Sequence, residues 1–436
     1  MNIMGVDIGT TSISLVLVEK ESGNLIARET AEHQSFLKSE SPEGKIQDPE
    51  RIYRITREKT EKLNHTYGIP AGIGVTGQMH GMLYVDEGGN AVSPLYTWQD
   101  GSGDIPLDDG KSSVQILKEA AGAVSAGYGL ATHYYLQEKR RIPENAKKMV
   151  TISDYIVMKL CSLTEPEIGM DMAASWGCFD LEKKEFRYEG LEEAGVDVSY
   201  LPRVRKEHFI AGRTAEGIPV MGSIGDNQAS FLGAVDDLYD TVLINVGTGS
   251  QVTFASKDYV ACGGNLELRP CMRDGYIMAG SSLCGGRAYA MLEQFYREVS
   301  GRAQEDYYKT MHEQAGDFIE KYGADAAWKV KTAFSGTRNN PSERGEMTGI
   351  SIENFHPGAM TAGVIAGIVE ELHQYYMEMC ELTGRRAGRL VGSGNGLRRN
   401  PLMQKLAQKM FGLELAFPRY EEEAACGAAR CMASLI

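Results

Sequence analysis

The chain has 436 residues, too many for one ordinary core, so at least two domains are expected. Its 42% hydrophobic and 24% charged residues are the mix of a soluble globular protein. A net charge of −14 argues against a nucleic-acid or anionic-membrane surface, and eight cysteines without a CxxC pair argue against a zinc site.

No basic segment with an apolar run behind it opens the chain. The longest apolar stretch, around 359–369, falls well short of a bilayer span. The expectation is therefore a cytoplasmic protein with reduced thiols and a small-molecule partner; a homodimer is left open.

In chain order, Ile3–Ile8 is an apolar run, Gly9-Thr10-Thr11-Ser12 a turn, and Ile13–Val18 a second strand. Gly23-Asn24 predicts a hairpin into a third strand, Leu25–Thr30. Asp48-Pro49-Glu50 is a helix start, with Asp as cap and Pro in the first turn, and Gly68 and Pro70 stop that helix. Ala71–Thr76 is a fourth strand that ends in Gly77-Gln78-Met79-His80-Gly81.

The middle is less regular. Asp100–Asp109 reads as a polar loop; Val114–Ala121, Tyr134–Arg140 and Ile152–Leu160 read as helices; Ala173–Phe179 leads into a charged hairpin. These segments are taken as insertions on the first core.

The stretch Gly222–Ser230 places Asp226 between an apolar run and an Ala/Leu-rich helix. Asp226 alone has two readings. It is a helix N-cap, or a carboxylate held on rigid elements as a general base.

An internal repeat weighs on that choice. Val6-Asp7-Ile8-Gly9-Thr10-Thr11-Ser12 recurs as Ile244-Asn245-Val246-Gly247-Thr248-Gly249-Ser250, each copy between two apolar strands. The pattern predicts a duplicated α/β fold, with one copy over 1–234 and the other over 235–436, and with the two glycine turns facing a cleft. In the second copy Ser281–Tyr296 and Ala359–Cys380 read as helices, and Phe334–Gly349 reads as a polar loop. Leu390–Gly396 is a strand entering a Gly-rich turn, followed by a helix over Pro401–Phe411, a strand over Leu413–Phe417 and a terminal helix over Glu421–Leu435. The Ala/Gly face of that last helix (Ala424, Gly427, Ala428) suits close packing.

Glycine turns expose backbone N–H groups that cradle phosphate oxygens, and Thr or Ser hydroxyls add donors. Three such turns, at Gly9, Gly247 and Gly392, point to a nucleoside triphosphate. Asp7 is placed to hold Mg²⁺, usually through water. There is no GxxxxGK[ST] and no HRD or DFG set, so neither a P-loop enzyme nor a protein kinase is indicated. Gln78 and His80 between glycines, with Trp98 and Asp100, suggest a polyol pocket, although a lone His is often structural.

Together, Asp7–Ser12, Gly77–Gly81, Gly225-Asp226-Asn227, Gly247–Gly249 and Gly392–Gly394 resemble, in order and over nearly the whole chain, the FGGY carbohydrate kinases. The stretches Thr97–Gly101, Ala173–Gly177 and Gly392–Gly394 with Arg399-Asn400 are similar to the sedoheptulokinase branch.

The resemblance implies two ribonuclease-H-like, actin/hexokinase-type domains around a central cleft, with ATP and Mg²⁺ as cofactors and a terminal sugar hydroxyl as acceptor. It implies Asp226 as base, Asp7 as metal anchor, and Gly9, Thr10, Thr11, Gly247, Thr248 and Gly249 as phosphate turns. Gly285, Gly392, Ser393, Gly394, Asn395 and Asn400 fall on the nucleotide side. Gln78, Met79, His80, Trp98, Asp100, Asp226 and Asn227 fall on the sugar side.

Ser14 stands where many members carry Lys or Arg, and Ser102 where some sedoheptulokinases carry Arg. Xylulose or another pentulose or polyol is the alternative substrate. From other classes, a non-catalytic sugar sensor predicts loss of an acid at 7 or 226, and an actin- or Hsp70-like ATPase predicts no polyol pocket. Neither prediction matches these residues.

Overall fold

The computed structural model describes residues 1–271, 275–302, 304–337, 340 and 342–436. Pro341, part of the polar loop expected over 334–349, lies outside the described residues. The chain packs as two units. One is Met1–Gly233 with Arg269–Gly275 and Tyr420–Ile436; the other is Ala234–Leu268 with Tyr276–Arg419. The sequence reading cuts the chain once, after residue 234; the packing also returns the C-terminal segment to the first unit.

In the first unit β1 (Asn2–Ile8), β2 (Ser12–Glu19) and β3 (Leu25–Glu32) form an antiparallel meander. Helix α1 (Pro49–Tyr67) then leads to β4 (Gly72–Gly77), which pairs parallel to β1. Asp48 caps α1 by accepting the Arg51 N–H at 3.0 Å, as its sequence signal requires. Helices α2 (Ile152–Cys161) and α3 (Met170–Ala174) precede two short strands, β5 (Pro219–Met221) and β6 (Ile224–Gly225), both parallel to β4. Helix α4 (Asp226–Ala234) follows β6 directly.

Strand β1 is apolar on both faces because both are covered. Met4, Val6 and Ile8 pack with Ile52 and Leu63 of α1, whereas Ile3 packs with Ala425, Ala429 and Met432 near the C-terminus.

The second unit repeats the plan. Strands β7 (Thr241–Val246), β8 (Ser250–Ser256) and β9 (Gly275–Ser282) are antiparallel; helices α5 (Gly286–Ser300) and α6 (Pro357–Thr383) follow. Strand β10 (Arg389–Ser393) is parallel to β7, and β11 (Leu415–Ala416) is parallel to β10 after α7 (Pro401–Phe411). The order β3-β2-β1-β4-β5 in the first unit thus recurs as β9-β8-β7-β10-β11. This is the ribonuclease-H-like arrangement, present twice.

The last helix, α8 (Glu423–Ala433), lies flush on the first sheet and on α4 because glycines leave no side chain between backbones. A Cβ on Gly5 would stand 1.9 Å from the Ala425 carbonyl oxygen, and one on Gly74 2.0 Å from that of Ala428. On the helix–helix side, a Cβ on Gly427 would stand 1.9 Å from the Ala229 oxygen, and one on Gly233 1.9 Å from the Glu423 oxygen.

Several expected elements differ. Ser281 and Ser282 end strand β9, pairing with Gln251 and Ser250, and the expected helix over 281–296 begins only at Gly286. The expected loop over 334–349 contains a strand, Glu346–Thr348, paired with Lys329–Lys331. Helix Tyr308–Tyr322 has no anticipated counterpart, and the helix expected at Tyr134–Arg140 is Gly129–Glu138. The strand expected over 413–417 is two residues long. Among the described residues no helix is long and apolar enough to cross a membrane.

Gly427→Ala separates packing from propensity. In an open helix the change stabilises by about 1 kcal/mol; here the added methyl collides with backbone, and a net loss of at least ~2 kcal/mol is expected in urea unfolding. An unchanged or raised midpoint would contradict the flush packing.

Candidate active site

Register builds the site in the first unit. Ile8 pairs with Gly77, and Gly77 with Gly225, so β1, β4 and β6 end level. The segments that follow, Gly9–Thr11, Gln78–Gly81 and Asp226, therefore leave the sheet at one edge. The carboxyl ends of parallel strands are where open α/β sheets bind ligands.

Asp226 is the first residue of α4 and is partly buried. Asn227 Nδ2 donates to its Oδ1 at 2.9 Å and also lies 3.7 Å from Met79 Sδ. Burial raises the Asp226 pKa from 3.8 to about 6, while the charge of Arg269 and the bonds from Asn227 pull it down. Asp7, on β1, is raised to about 7, first by burial and then by the charge of Asp226.

The Asp7 Oδ1 atom is buried and has no hydrogen-bond partner among the described residues. Two close, desolvated carboxylates with an unsatisfied oxygen suit a divalent cation with oxygen ligands. No group of three or more His, Cys, Asp or Glu side chains among the described residues could hold a metal ion alone.

Beside that edge, Gln78 Nε2 donates to Gln47 Oε1 at 3.1 Å, and Gln47 Nε2 donates to the Thr10 carbonyl at 2.7 Å. This amide relay ties the first glycine turn to the Gln78–Gly81 segment. Gln78 Oε1 is buried with no partner among the described residues. His80 takes a left-handed φ of 73°, uncommon outside glycine, and its ring stacks on Tyr128 at 4.4 Å. Trp98 is 47% exposed and donates its indole N–H to Thr10 Oγ1 at 3.0 Å. Asp100 is 1% exposed, and its oxygens accept the Lys45 and Ser102 N–H groups at 3.1 and 3.0 Å. Its bonds in this structure thus shape the loop.

The second unit brings its glycine turns together in the same way. Asn245 pairs with Ser393 across β7 and β10, and Asn245 Nδ2 donates to Ser393 Oγ at 2.7 Å. Gly394 has φ 82°, and a Cβ there would stand 2.4 Å from the Val246 oxygen. Gly247 N–H closes its turn on the Gly249 carbonyl at 2.9 Å, and Thr248 is exposed at the tip. Gly285 and Gly286 abut that turn, with Cβ approaches of 2.5 and 2.3 Å, and Gly286 and Arg287 donate N–H groups to the Gly247 and Thr248 carbonyls. Asn395 begins a four-residue helix, whereas Asn400 is buried and caps α7 by accepting the Met403 N–H at 3.0 Å.

Several site residues carry no signal in the sequence. Gln47 is one. His33 is another: it is fully buried, with Nε2 3.1 Å from the Gly9 carbonyl and Nδ1 2.7 Å from Ser35 Oγ. Burial lowers its pKa, which keeps it neutral beneath the turn. Tyr128 and Arg269 are likewise unannounced.

Residues 2–233 match the N-terminal domain of the FGGY family of carbohydrate kinases, and residues 242–435 match its C-terminal domain. The chain belongs to the FGGY family of carbohydrate kinases. It is a phosphotransferase acting on a small-molecule sugar. Among relatives of this FGGY kinase, sedoheptulokinase of Mus musculus is 29% identical over 98% of this chain and 96% of its own length. Xylulose kinase of Staphylococcus xylosus is 24% identical over 98% and 89%. The crystal structure of xylulose kinase from Rhodospirillum rubrum superposes with a TM-score of 0.82 at 22% identity, covering 99% of this FGGY kinase and 90% of that chain. Its likeness supports the two-domain fold.

The raised carboxyl of Asp226 has a kinetic sign. A group whose folded pKa is raised to about 6 loses its charge as pH falls through 6. Chemistry that needs the carboxylate as base should thus lose kcat below about pH 6, approaching tenfold per unit. A pH–rate profile flat down to about pH 4.5 would contradict that use of Asp226.

Proposed function

We propose that this kinase transfers the γ-phosphoryl of ATP to the terminal hydroxyl of a ketose, sedoheptulose first, in the cytoplasm. The observation that carries the chemistry is Asp226 on the ligand edge of the first sheet, its oxygen oriented by Asn227 and its pKa lifted toward neutrality. A carboxylate so placed takes the hydroxyl proton as the oxygen attacks phosphorus in line.

In this reading the first domain, 1–234, holds the sugar. The unpaired Gln78 Oε1 accepts a sugar hydroxyl, His80 and Asn227 bond others, and the exposed indole of Trp98 stacks on the carbon skeleton. Met79, 4% exposed and beside Asn227, bounds the pocket, and Asp100 fixes the loop that carries Trp98.

The second domain, 235–436, holds the nucleotide. The Gly247–Gly249 turn offers backbone N–H groups to phosphate, backed by Gly285, with Gly392–Asn395 on the adenosine side. The Gly9–Thr11 turn is the counterpart phosphate turn from the repeat. Asn400 serves there through the start of α7, which it caps. Asp7 would hold Mg²⁺, which when bound supplies positive charge against the transferring phosphoryl.

Sedoheptulose is favoured because the sedoheptulokinase relative is more identical than the xylulose kinase and matches nearly end to end. Xylulose is the second reading, favoured by Ser102 where some sedoheptulokinases carry Arg.

A coupled ADP-release assay over C5 to C7 ketoses and polyols decides the substrate. Buried polar groups left unpaired by a shorter sugar cost about 1–3 kcal/mol each, so kcat/KM for sedoheptulose should exceed that for xylulose by at least ~10-fold. Equal or better use of xylulose would remove sedoheptulose and leave a sugar kinase.

A further inference from the structure

Helix α3, with the Ala173–Gly177 stretch that it enters, has no part in the chemistry above, yet it touches both sides of the first-unit site. Asp171 is 1% exposed, and its Oδ2 accepts the Gly225 N–H at 2.9 Å. Among the described residues β6 pairs only with β4, so no strand covers its other edge. The Asp171 carboxylate satisfies a backbone N–H one residue before Asp226, by a charge-assisted bond stronger than a neutral one.

Ser175, four residues on and 4% exposed, holds the other side. Its Oγ accepts the His80 N–H at 3.0 Å, and its carbonyl oxygen lies 2.7 Å from His80 Nδ1. Residues i and i+4 share one face of a helical turn, so a single rigid segment spaces the two contacts. The left-handed His80 backbone needs such support, because strained conformations persist only where their surroundings over-determine them. A second grip lies further back on the same turn: Ser223 Oγ donates to Asp154 Oδ1 at 2.6 Å, and Thr151 Oγ1 donates to Asp154 Oδ2 at 2.7 Å.

We infer that Asp171 is a positioning residue for phosphoryl transfer: through the Gly225 N–H it sets where the Asp226 carboxyl stands relative to His80, with Ser175 as the opposing fixture. The inference rests on the assignment of Asp226 as base. Displacing a reacting group by about 1 Å costs roughly 100-fold in rate. Losing the Asp171 acceptor also leaves Gly225 N–H buried and unpaired, which drives the turn to move.

The test compares Asp171→Ala, Asp171→Asn, Ser175→Ala and Asp226→Asn on whichever of sedoheptulose, xylulose and gluconate the parent enzyme turns over fastest. Kinetics are taken with thermal unfolding and ATP calorimetry. Asp171→Ala should lower kcat about 10- to 100-fold at a temperature where it is folded, with ATP affinity within about twofold. Asp171→Asn, whose amide oxygen still accepts the N–H, should recover at least about tenfold of a full loss. Ser175→Ala should raise the sugar KM about tenfold with kcat within about threefold.

A folded Asp171→Ala enzyme with kcat within about threefold of the parent would overturn the inference, as would an Asp171→Asn enzyme as slow as Asp171→Ala. If Asp171→Ala does not fold, Ser175→Ala decides, and an unchanged sugar KM overturns it. Parent-like turnover by Asp226→Asn would instead remove the base assignment beneath it; a dead Asp226→Asn beside a normal Asp171→Ala removes only the positioning role.

Discussion

The closest constraint in the first unit is backbone against backbone. Four glycines, Gly5, Gly74, Gly233 and Gly427, let α8 lie within contact of β1, β4 and α4 at once. Each hypothetical Cβ falls about 2 Å from a carbonyl oxygen, well inside any tolerable separation. Asp7 sits on β1, the Gln78 segment leaves β4, and Asp226 opens α4. The helix that closes the chain therefore clamps the three elements that present the site. An error in its seating would reach Asp7 and Asp226 together.

That rigidity is what lets two carboxylates stay poorly solvated. Asp7 and Asp226 both lose water, and each would shed its charge rather than keep it uncompensated. A flexible scaffold would relax the pair apart or admit water. Here the turns are pinned from beneath: His33 under Gly9, Gln47 between Thr10 and Gln78, Asp171 and Asp154 under the strand before Asp226. Such a pair favours an arriving cation and a proton-bearing hydroxyl. Arg269 opposes the lift on Asp226 and keeps a carboxylate available near neutral pH.

Local signals in the sequence carry well where a turn or a cap dictates the backbone. Asp48-Pro49 opens a helix, Gly23 closes a hairpin, and the repeated Gly-Thr turns announce two copies of one sheet. They fail where tertiary packing decides. Ser281–Gly285 reads as helix, yet Ser281 and Ser282 complete a strand because Gln251 and Ser250 lie opposite. Helix Tyr308–Tyr322 has no side-chain cap to announce it. The same limit holds at the site. Glycines and the Asp226 turn are visible as motifs, whereas Gln47, His33 and Asp171 act through hydrogen bonds to backbone or amide groups 24 to 54 residues away. Asp100 and Asn400 show the converse. Their motif positions stand out, but their side-chain oxygens accept backbone N–H groups, those of Lys45 and Ser102 at Asp100 and that of Met403 at Asn400.

The central claim is that the Asp226 carboxylate is a base and not merely the first residue of α4. Asp226→Asn keeps the shape and, as Asn caps helices about as well as Asp, preserves the helix start while removing the basicity. The decisive measurement is kcat for that variant with ATP affinity by calorimetry. A fall of at least ~10²-fold with ATP binding retained is the predicted result; turnover close to that of the parent enzyme would contradict the account.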